Sequence, residues 1–364
     1  MFFALALTAL LVAVIIFIEQ PKFGKVPAGE RLERIKRSPH YQEGHFVNLS
    51  VTPDLTEGAS YLSVMREFLF TRRPERKPVK PLPHMKTDLH HLDPAADVLV
   101  WFGHSSYFMQ LDSKRILVDP VLSGSASPLA WTNRSFGGTD AYTVDDIPGI
   151  DYLFITHDHW DHLDYETVRA LKPKVKTVIC ALGTGSHFEY WGYDKNAIIE
   201  KDWNERIDLD PGFVAYTAPA RHFSGRGLRR NRTLWTAFVF QTPSMKIYIG
   251  GDSGYDTHFA ATGAEHGPFD LAILENGQYD KSWKYIHMMP EEVLQAATDL
   301  KAAKLLPVHS GKFAMANHPW NEPLKRLTEQ NKTMHIPLLT PVVGELVELR
   351  DTAHIYTSWW EHLQ

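Results

Sequence analysis

Residues 156–164, THDHWDHLD, place four side chains of metal-binding type within six consecutive positions. They are His157, His159, Asp161 and His162. Imidazole and carboxylate groups suit zinc, and manganese or iron accept the same ligands. The spacing lets the four groups surround ions but crowds them too closely to bind one ion together. The segment therefore predicts a pair of metal ions, because burying so many ionisable groups without a partner would be costly.

The elements that must position these residues are predicted to be short strands with interleaved helices. DYLFIT precedes the motif and is expected to form a buried strand, whereas DYETVRALK follows it with helical spacing. Further strands are predicted from VLVWFGHSSYFMQLDSKRILVDP, KTVICAL, FVAYTAPA, WTAFVFQT, KIYIGGDSG, DLAILENG and KLLPVHSG, and a helix from PEEVLQAATDLKAA. This pattern favours one α/β domain with sheets packed face to face and helices outside.

The motif H-x-H-x-D-H, here HDHWDH, resembles that of the metallo-β-lactamase superfamily. That family has further ligands at strand ends, and His222 in APARHFSG, Asp252 in IYIGGDSG and His309 in LLPVHSGKF stand at matching positions. The resemblance implies a metallo-β-lactamase-like αββα sandwich over residues 96–350. It also implies two Zn²⁺ ions, for which Mn²⁺ or Fe²⁺ could substitute. One metal would take His157, His159 and His222, the other Asp161, His162 and His309, with Asp252 bridging both.

Such a metal pair points to hydrolysis. Two zinc ions about 3.5–4 Å apart lower the pKa of a shared water and stabilise charge on the attacked centre. Asp161 or Asp252 is predicted to orient that water. Redox members of the fold typically carry glutamate at the position of His159, so a di-iron oxidoreductase is not expected.

Flanking segments, including GGDSGY and KYIHMMPEE, resemble the branch that contains N-acyl-phosphatidylethanolamine-hydrolysing phospholipase D. The resemblance implies a membrane phospholipid as substrate, phosphatidic acid and an N-acylethanolamine as products, and an active-site role for His287. His287 would contact phosphate or protonate the leaving oxygen. Arg221 and Arg226, in RHFSGRGLRRNR, are further candidates for binding the substrate phosphate, since guanidinium groups match phosphate oxygens. The alternative is a solvated basic face.

Two other functions stay open. The same metal site could hydrolyse lactones, β-lactams or sugar-phosphate lactones, or the chain could be a membrane-tethered lipid-binding protein without catalysis. His104 and Asp119 are expected to brace metal-bound imidazoles. The other histidines are expected to be structural.

The apolar run FFALALTALLVAVIIFI, residues 2–18, predicts an N-terminal transmembrane helix within a membrane anchor of residues 1–20. A cleaved signal peptide is the alternative. The basic residues that follow predict a bacterial inner-membrane protein with its catalytic domain in the cytoplasm, or else in the periplasm. Residues 21–95 are read as an N-terminal arm with a basic, proline-rich linker at 71–86, either solvated or contacting anionic lipid. Residues 351–364 are read as a C-terminal tail.

Composition adds few constraints. The chain has 364 residues and a formal net charge of −5, so no nucleic-acid partner is expected. Its single cysteine, Cys180, excludes an intramolecular disulfide. A homodimer is compatible with the sequence.

Overall fold

Two β-sheets form the centre of the fold. The computed structural model describes residues 2–71, 74–361 and 363. The strands, numbered along the chain, are β1 (Tyr41–Gln42), β2 (His45–Phe46), β3 (Val98–Trp101), β4 (Tyr107–Leu111), β5 (Lys114–Val118), β6 (Ile150–Ile155), β7 (Val175–Ala181), β8 (Ile198–Lys201), β9 (Arg206–Asp208), β10 (Val214–Ala218), β11 (Ala237–Gln241), β12 (Lys246–Ile249), β13 (Leu271–Glu275), β14 (Leu305–Val308) and β15 (Leu346–Glu348). The large sheets have the orders β15-β3-β4-β5-β6-β7-β8 and β14-β13-β12-β11-β10-β9, and β1 pairs with β2.

The helices are α1 (Phe2–Ile18), α2 (Gly29–Lys36), α3 (Tyr61–Phe70), α4 (Tyr165–Leu171), α5 (Gly185–Tyr190), α6 (His258–Glu265), α7 (Pro290–Asp299) and α8 (Glu322–Met334). Val168 of α4 and Phe188 of α5 pack with residues of the seven-stranded sheet. Phe259 of α6, Val293 of α7 and Leu327 of α8 pack with the six-stranded sheet. Helices therefore cover both outer faces, and the predicted αββα sandwich is confirmed.

Apolar side chains from both sheets meet in one core between them. Phe154 of β6 lies edge-on to Phe238 and Phe240 of β11, with ring centroids 5.0 and 5.2 Å apart. Trp359 and Trp360, within the predicted C-terminal tail, pack into the same core. These two tryptophans therefore contribute apolar contacts to the sandwich, whereas His362 and Gln364 of the predicted tail lie outside the described residues.

The ligand-bearing segments all follow strand ends. Residue 157 follows β6, 222 follows β10, 252 follows β12 and 309 follows β14. The turn before Asp252 needs glycine at Gly251, which has a φ of 60° and whose hypothetical Cβ would lie 2.8 Å from Thr156. Strand ends and a tight glycine turn thus bring the ligands to one edge of the sandwich.

The predicted transmembrane helix is not supported. α1 has 17 residues and no charge, which at about 1.5 Å per residue gives roughly 25 Å, short of a hydrocarbon layer of about 30 Å. Within residues 2–71, 74–361 and 363, none of the helices combines the length and apolar character needed to cross a membrane. The predicted single span is therefore corrected to a shorter apolar helix. Met1 of the predicted anchor and Arg72 and Arg73 of the predicted linker lie outside the described residues.

Candidate metal centre

The structure brings the seven predicted metal ligands together in two adjoining groups. Within each group the ligand atoms lie within 4.8 Å of one another. One group consists of His157, His159, His222 and Asp252, and the other of His104, Asp161, His162 and His309. This division matches the one that the family resemblance implies, with His104 added to the second group. A third, overlapping group joins Asp252 and His309 to Glu275 and His287.

The carboxylate of Asp252 lies between the two groups. Its Oδ2 is 3.8 Å from His157 Nε2 and 3.7 Å from His222 Nε2. Its Oδ1 is 3.1 Å from both His162 Nε2 and His309 Nδ1. One oxygen therefore faces each group, as a carboxylate bridging two ions requires.

The donor set fits a metal pair. In the described part of the chain, the buried atoms His162 Nε2, Asp252 Oδ1 and His309 Nε2 have no hydrogen-bond partner, and such groups are costly unless something binds them. Burial lowers the pKa values of His157 and His222 well below the usual range. These imidazoles are therefore neutral at neutral pH, as metal ligands must be.

Polar groups behind the ligands fix which ring nitrogen faces the centre. His162 Nδ1 is 2.7 Å from Asp119 Oδ2, and the same carboxylate accepts from the backbone N–H of Thr156 at 2.9 Å. His157 Nδ1 is 3.0 Å from Thr156 Oγ1, and His222 Nδ1 donates to the Ile286 carbonyl at 2.9 Å. Each Nδ1 is thus occupied, which leaves Nε2 to bind metal.

His104 and Asp119 were expected to brace metal-bound imidazoles; Asp119 contacts the imidazole of His162, whereas His104 contacts a carboxylate. His104 Nε2 is 2.9 Å from Asp161 Oδ2. The His104 residue has a positive φ of 54°, and its backbone carbonyl accepts from the indole N–H of Trp101 at 2.8 Å. The carboxylate of Asp161 is therefore held by a fully buried imidazole.

His287 borders the centre and is held by a glutamate that sequence reasoning missed. Its Nδ1 lies 2.6 Å from Glu275 Oε2, while Glu275 Oε1 accepts from the backbone N–H groups of Ser253 and Met288, each at 3.0 Å. Burial raises the pKa of Glu275 and lowers that of His287. The sequence could have indicated Glu275, because it is an acidic residue that ends the apolar run of DLAILENG.

The two predicted phosphate-binding arginines are used elsewhere. Arg226 is buried and donates to the backbone carbonyls of Lys22, Asp158 and Leu163. The Arg221 side chain donates to Thr52 Oγ1 at 2.9 Å and to the Val51 carbonyl at 2.9 Å. In this structure both guanidinium groups therefore hold parts of the N-terminal arm.

A cavity of about 500 Å³ opens over the ligands, and we call it the active-site cavity. His159, Asp161, His222, Asp252, His287 and His309 line its polar part. Leu55, Val64, Trp160, Phe223, Ile286 and Met315 are among its apolar lining residues. Trp160 and Phe223 are each adjacent in sequence to a predicted ligand, and only this adjacency could have predicted that they line the cavity. The cavity can therefore hold a polar reacting group against the ligands and an apolar chain beside it.

Comparison with known proteins agrees with this fold. The sequence profile of a family described as "Beta-lactamase superfamily domain" matches residues 114–310. An uncharacterized protein of Mycobacterium tuberculosis is 36% identical over 329 residues, which cover 89% of this chain and 88% of that protein. A Caenorhabditis elegans protein named N-acyl-phosphatidylethanolamine-hydrolyzing phospholipase D 1 is 27% identical over 333 residues, covering 84% of this chain and 91% of that protein.

Two further proteins are similar to this chain, one in its fold and one over part of its sequence. The structure of Igni18, a metallo hydrolase from Ignicoccus hospitalis, superposes with a TM-score of 0.54 at 19% identity, covering 70% of this chain and 98% of that one. A Klebsiella pneumoniae protein named outer membrane protein RomA is 65% identical over 104 residues, covering 29% of this chain and 79% of that protein. The family profile covers more than half of the chain, and it includes strands β5 to β14 and all seven predicted ligands. The chain belongs to the β-lactamase superfamily.

Proposed function

We propose that this protein is a dinuclear zinc hydrolase that cleaves a phosphodiester bond. The proposed substrate is N-acyl-phosphatidylethanolamine, and the products are phosphatidic acid and an N-acylethanolamine. The observation that carries the proposal is the composition of the active-site cavity, where the predicted ligands adjoin an apolar wall. A phospholipid has the same two parts, a charged phosphodiester and apolar acyl chains. The similarity to the C. elegans phospholipase supports the choice of substrate.

The two groups of ligands would each hold one ion, and Asp252 would contact both. When bound, the metal pair supplies an activated water and Lewis-acid stabilisation of charge at phosphorus. Asp161, held by His104 at 2.9 Å, is positioned to orient the water. The attack forms a new P–O bond and breaks the P–O bond to the ethanolamine oxygen.

His287 is suited to protonate that leaving oxygen. Its Nδ1 is engaged by Glu275, and its Nε2 has no hydrogen-bond partner among the described residues although the side chain lines the cavity. A proton held at Nε2 can therefore pass to the leaving oxygen while Nδ1 takes the proton of the Glu275 carboxyl group, whose pKa burial raises. The ring stays neutral, and Glu275 ends as the carboxylate. Glu275 acts here through His287 and is a positioning residue.

The proposed substrate resides in a bilayer, and the N-terminal helix suits contact with one. Residues 2–16 of α1 are exposed and apolar. Phe17 packs on Phe23 with ring centroids 5.3 Å apart, and Phe23 packs on Trp160 of the active-site cavity at 5.2 Å. We place the protein on the surface of a bacterial membrane, with α1 inserted into one leaflet near the cavity.

The direct test is mass spectrometry of products after detergent-solubilised protein is incubated with N-acyl-phosphatidylethanolamine. We expect both products from the zinc-loaded protein, none after treatment with a chelator, and recovery when zinc is added back. His287→Asn should keep both metals, measured by elemental analysis, and lose turnover. His266→Asn is a matched control, because His266 directly follows α6 and is absent from the cavity lining.

Two results would contradict the proposal. A zinc-loaded protein that hydrolyses lactones but releases nothing from phosphodiesters would indicate another hydrolase of the same superfamily. Selective lipid binding without any product would indicate a binding protein. Loss of metal in His287→Asn would instead make His287 a metal ligand.

A further inference from the structure

A second cavity, of about 510 Å³, adjoins the C-terminal end of α1, and we call it the basic cavity. Its charged lining residues are Glu19, Lys25, Asp158, Arg226, Arg229 and Arg232. Basic groups therefore outnumber acidic ones. The basic cavity is separate from the active-site cavity, but they are neighbours, because Arg226 of the former stacks on Trp160 of the latter at 4.0 Å.

Three of the basic side chains are free to bind a ligand. Arg226 is occupied by backbone carbonyls, and Asp158 accepts from His187 Nε2 at 3.2 Å and from Thr233 Oγ1 at 2.9 Å. The side chains of Lys25, Arg229 and Arg232 have neither a hydrogen-bond acceptor nor an ion pair within residues 2–71, 74–361 and 363. The Lys25 ammonium lies over the Tyr190 ring at 5.7 Å. An anion is the complementary ligand for this group.

Apolar residues, one of them highly exposed to solvent, lie beside these cations. Ile18, at the end of α1, lines the cavity, and so does Leu228, whose side chain is 81% exposed. Leu228 precedes Arg229 directly, so one short loop carries an exposed apolar residue beside a free cation. Cations beside exposed apolar side chains suit the boundary between lipid head groups and acyl chains. A lipid phosphate therefore fits better than a soluble anion.

The cavity is built into the fold by polar contacts of the segment that follows α1. The indole N–H of Trp191 donates to the Pro21 carbonyl at 2.8 Å, and Arg226 donates to the Lys22 carbonyl at 2.8 Å. The backbone N–H of Lys25 donates to His187 Nδ1 at 2.9 Å. Gly24 makes this approach possible, since a Cβ there would lie 2.1 Å from the same nitrogen. The floor of the cavity is thus fixed without a ligand.

We propose that the basic cavity binds the phosphate group of an anionic phospholipid through Lys25, Arg229 and Arg232, with α1 and Leu228 among the acyl chains. This lipid is not the substrate. It holds the protein on the bilayer with the active-site cavity next to the membrane surface. The proposal adds a non-catalytic lipid site and does not depend on which bond the metal centre cleaves.

The test compares flotation of the full-length protein with vesicles of phosphatidylcholine alone and with vesicles that also contain phosphatidylglycerol. Wild-type protein should bind the anionic vesicles at least roughly tenfold more tightly, since each basic contact contributes to binding. The triple variant Lys25→Gln, Arg229→Gln, Arg232→Gln should lose this preference and keep its binding to phosphatidylcholine, which α1 provides. Circular dichroism and the melting temperature verify that it is folded. Hydrolysis of the water-soluble bis(4-nitrophenyl) phosphate should stay unchanged, which separates this site from the proposed catalysis.

The matched control is Arg169→Gln, Lys301→Gln, Lys325→Gln, which removes the same charge at exposed positions outside the basic cavity. An equal loss of preference in this control would overturn the proposal, because general charge would then explain the binding. A second arm measures binding of inorganic phosphate by calorimetry. Phosphate binding that the cavity variant loses while its vesicle preference stays intact would assign the site to a soluble phosphate and overturn the lipid assignment.

Discussion

Glu275→Gln is the most informative single substitution for the proposed mechanism. Glutamine can accept the two 3.0 Å backbone hydrogen bonds from Ser253 and Met288 through its oxygen. Its amide nitrogen then replaces the oxygen that lies 2.6 Å from His287 Nδ1. The orientation of the ring is therefore kept, and only the ability of Glu275 to carry a charge or a proton is lost.

The expected fall in kcat follows from the loss of that charge or proton. A hydrogen bond to a charged group contributes about 1–2 kcal/mol more than one between neutral groups. Since about 1.4 kcal/mol corresponds to a tenfold change in rate, kcat should fall roughly 5- to 30-fold. KM and metal content should remain as in the wild type, because glutamine keeps the shape of Glu275 and its two backbone hydrogen bonds.

The assay is steady-state hydrolysis of N-acyl-phosphatidylethanolamine or, independently of that substrate, of bis(4-nitrophenyl) phosphate, with metal content measured on the same samples. Glu200→Gln is the matched control. Glu200 also accepts from two backbone N–H groups, of Gly183 and Gly185, and its other oxygen lies 2.6 Å from Arg31 Nε. It should lower the melting temperature and leave kcat unchanged. A Glu275→Gln protein with wild-type kcat and full metal content would refute the role of Glu275 in positioning His287.

Three further predictions concern the metal centre and the core. Asp252→Asn should lose metal and activity together, measured by elemental analysis and turnover, and full activity would remove its bridging role. Asp119→Asn should weaken metal affinity roughly 10- to 100-fold in a competition titration, because it orients His162, and an unchanged affinity would contradict that. Phe238→Ala should lower the free energy of unfolding by about 3–5 kcal/mol in urea denaturation, since Phe238 is fully buried between the sheets, and a loss under about 1 kcal/mol would show that the core repacks.

The strands could be predicted because they depend on local sequence, whereas the downstream ligand candidates were implied by the family resemblance. Each apolar run closed by turn residues became a strand, including DYLFIT as β6 and DLAILENG as β13. His157, Asp252 and His309 follow such runs directly, so their convergence at one edge follows from the order of the strands. Glu275 stands in the same kind of position and could have been proposed by the same reasoning.

The partners of the arginines could not be predicted, because they come from distant parts of the chain. Arg226 binds the carbonyl of Lys22, 204 residues away, and Arg221 binds Thr52, 169 residues away. A local cluster of basic residues gives no indication of which guanidinium will meet a backbone carbonyl and which will stay free. The same holds for Trp359, which packs on Trp101 and Trp320, far from it in the sequence.

Asp158 and Trp160 lie between the predicted ligands of the HDHWDH motif, and their contacts explain why the N-terminal arm packs beside the candidate metal centre. Asp158 accepts from the backbone N–H of Gly225 at 2.7 Å and from His187, whose other ring nitrogen accepts from the N–H of Lys25. Trp160 lies between Phe23 and the Arg226 guanidinium. The ligands of the motif therefore face inward while the residues between them hold the segment that follows α1. The proposed bilayer contact of α1 would therefore be connected to the ligand loop through these hydrogen bonds and ring contacts.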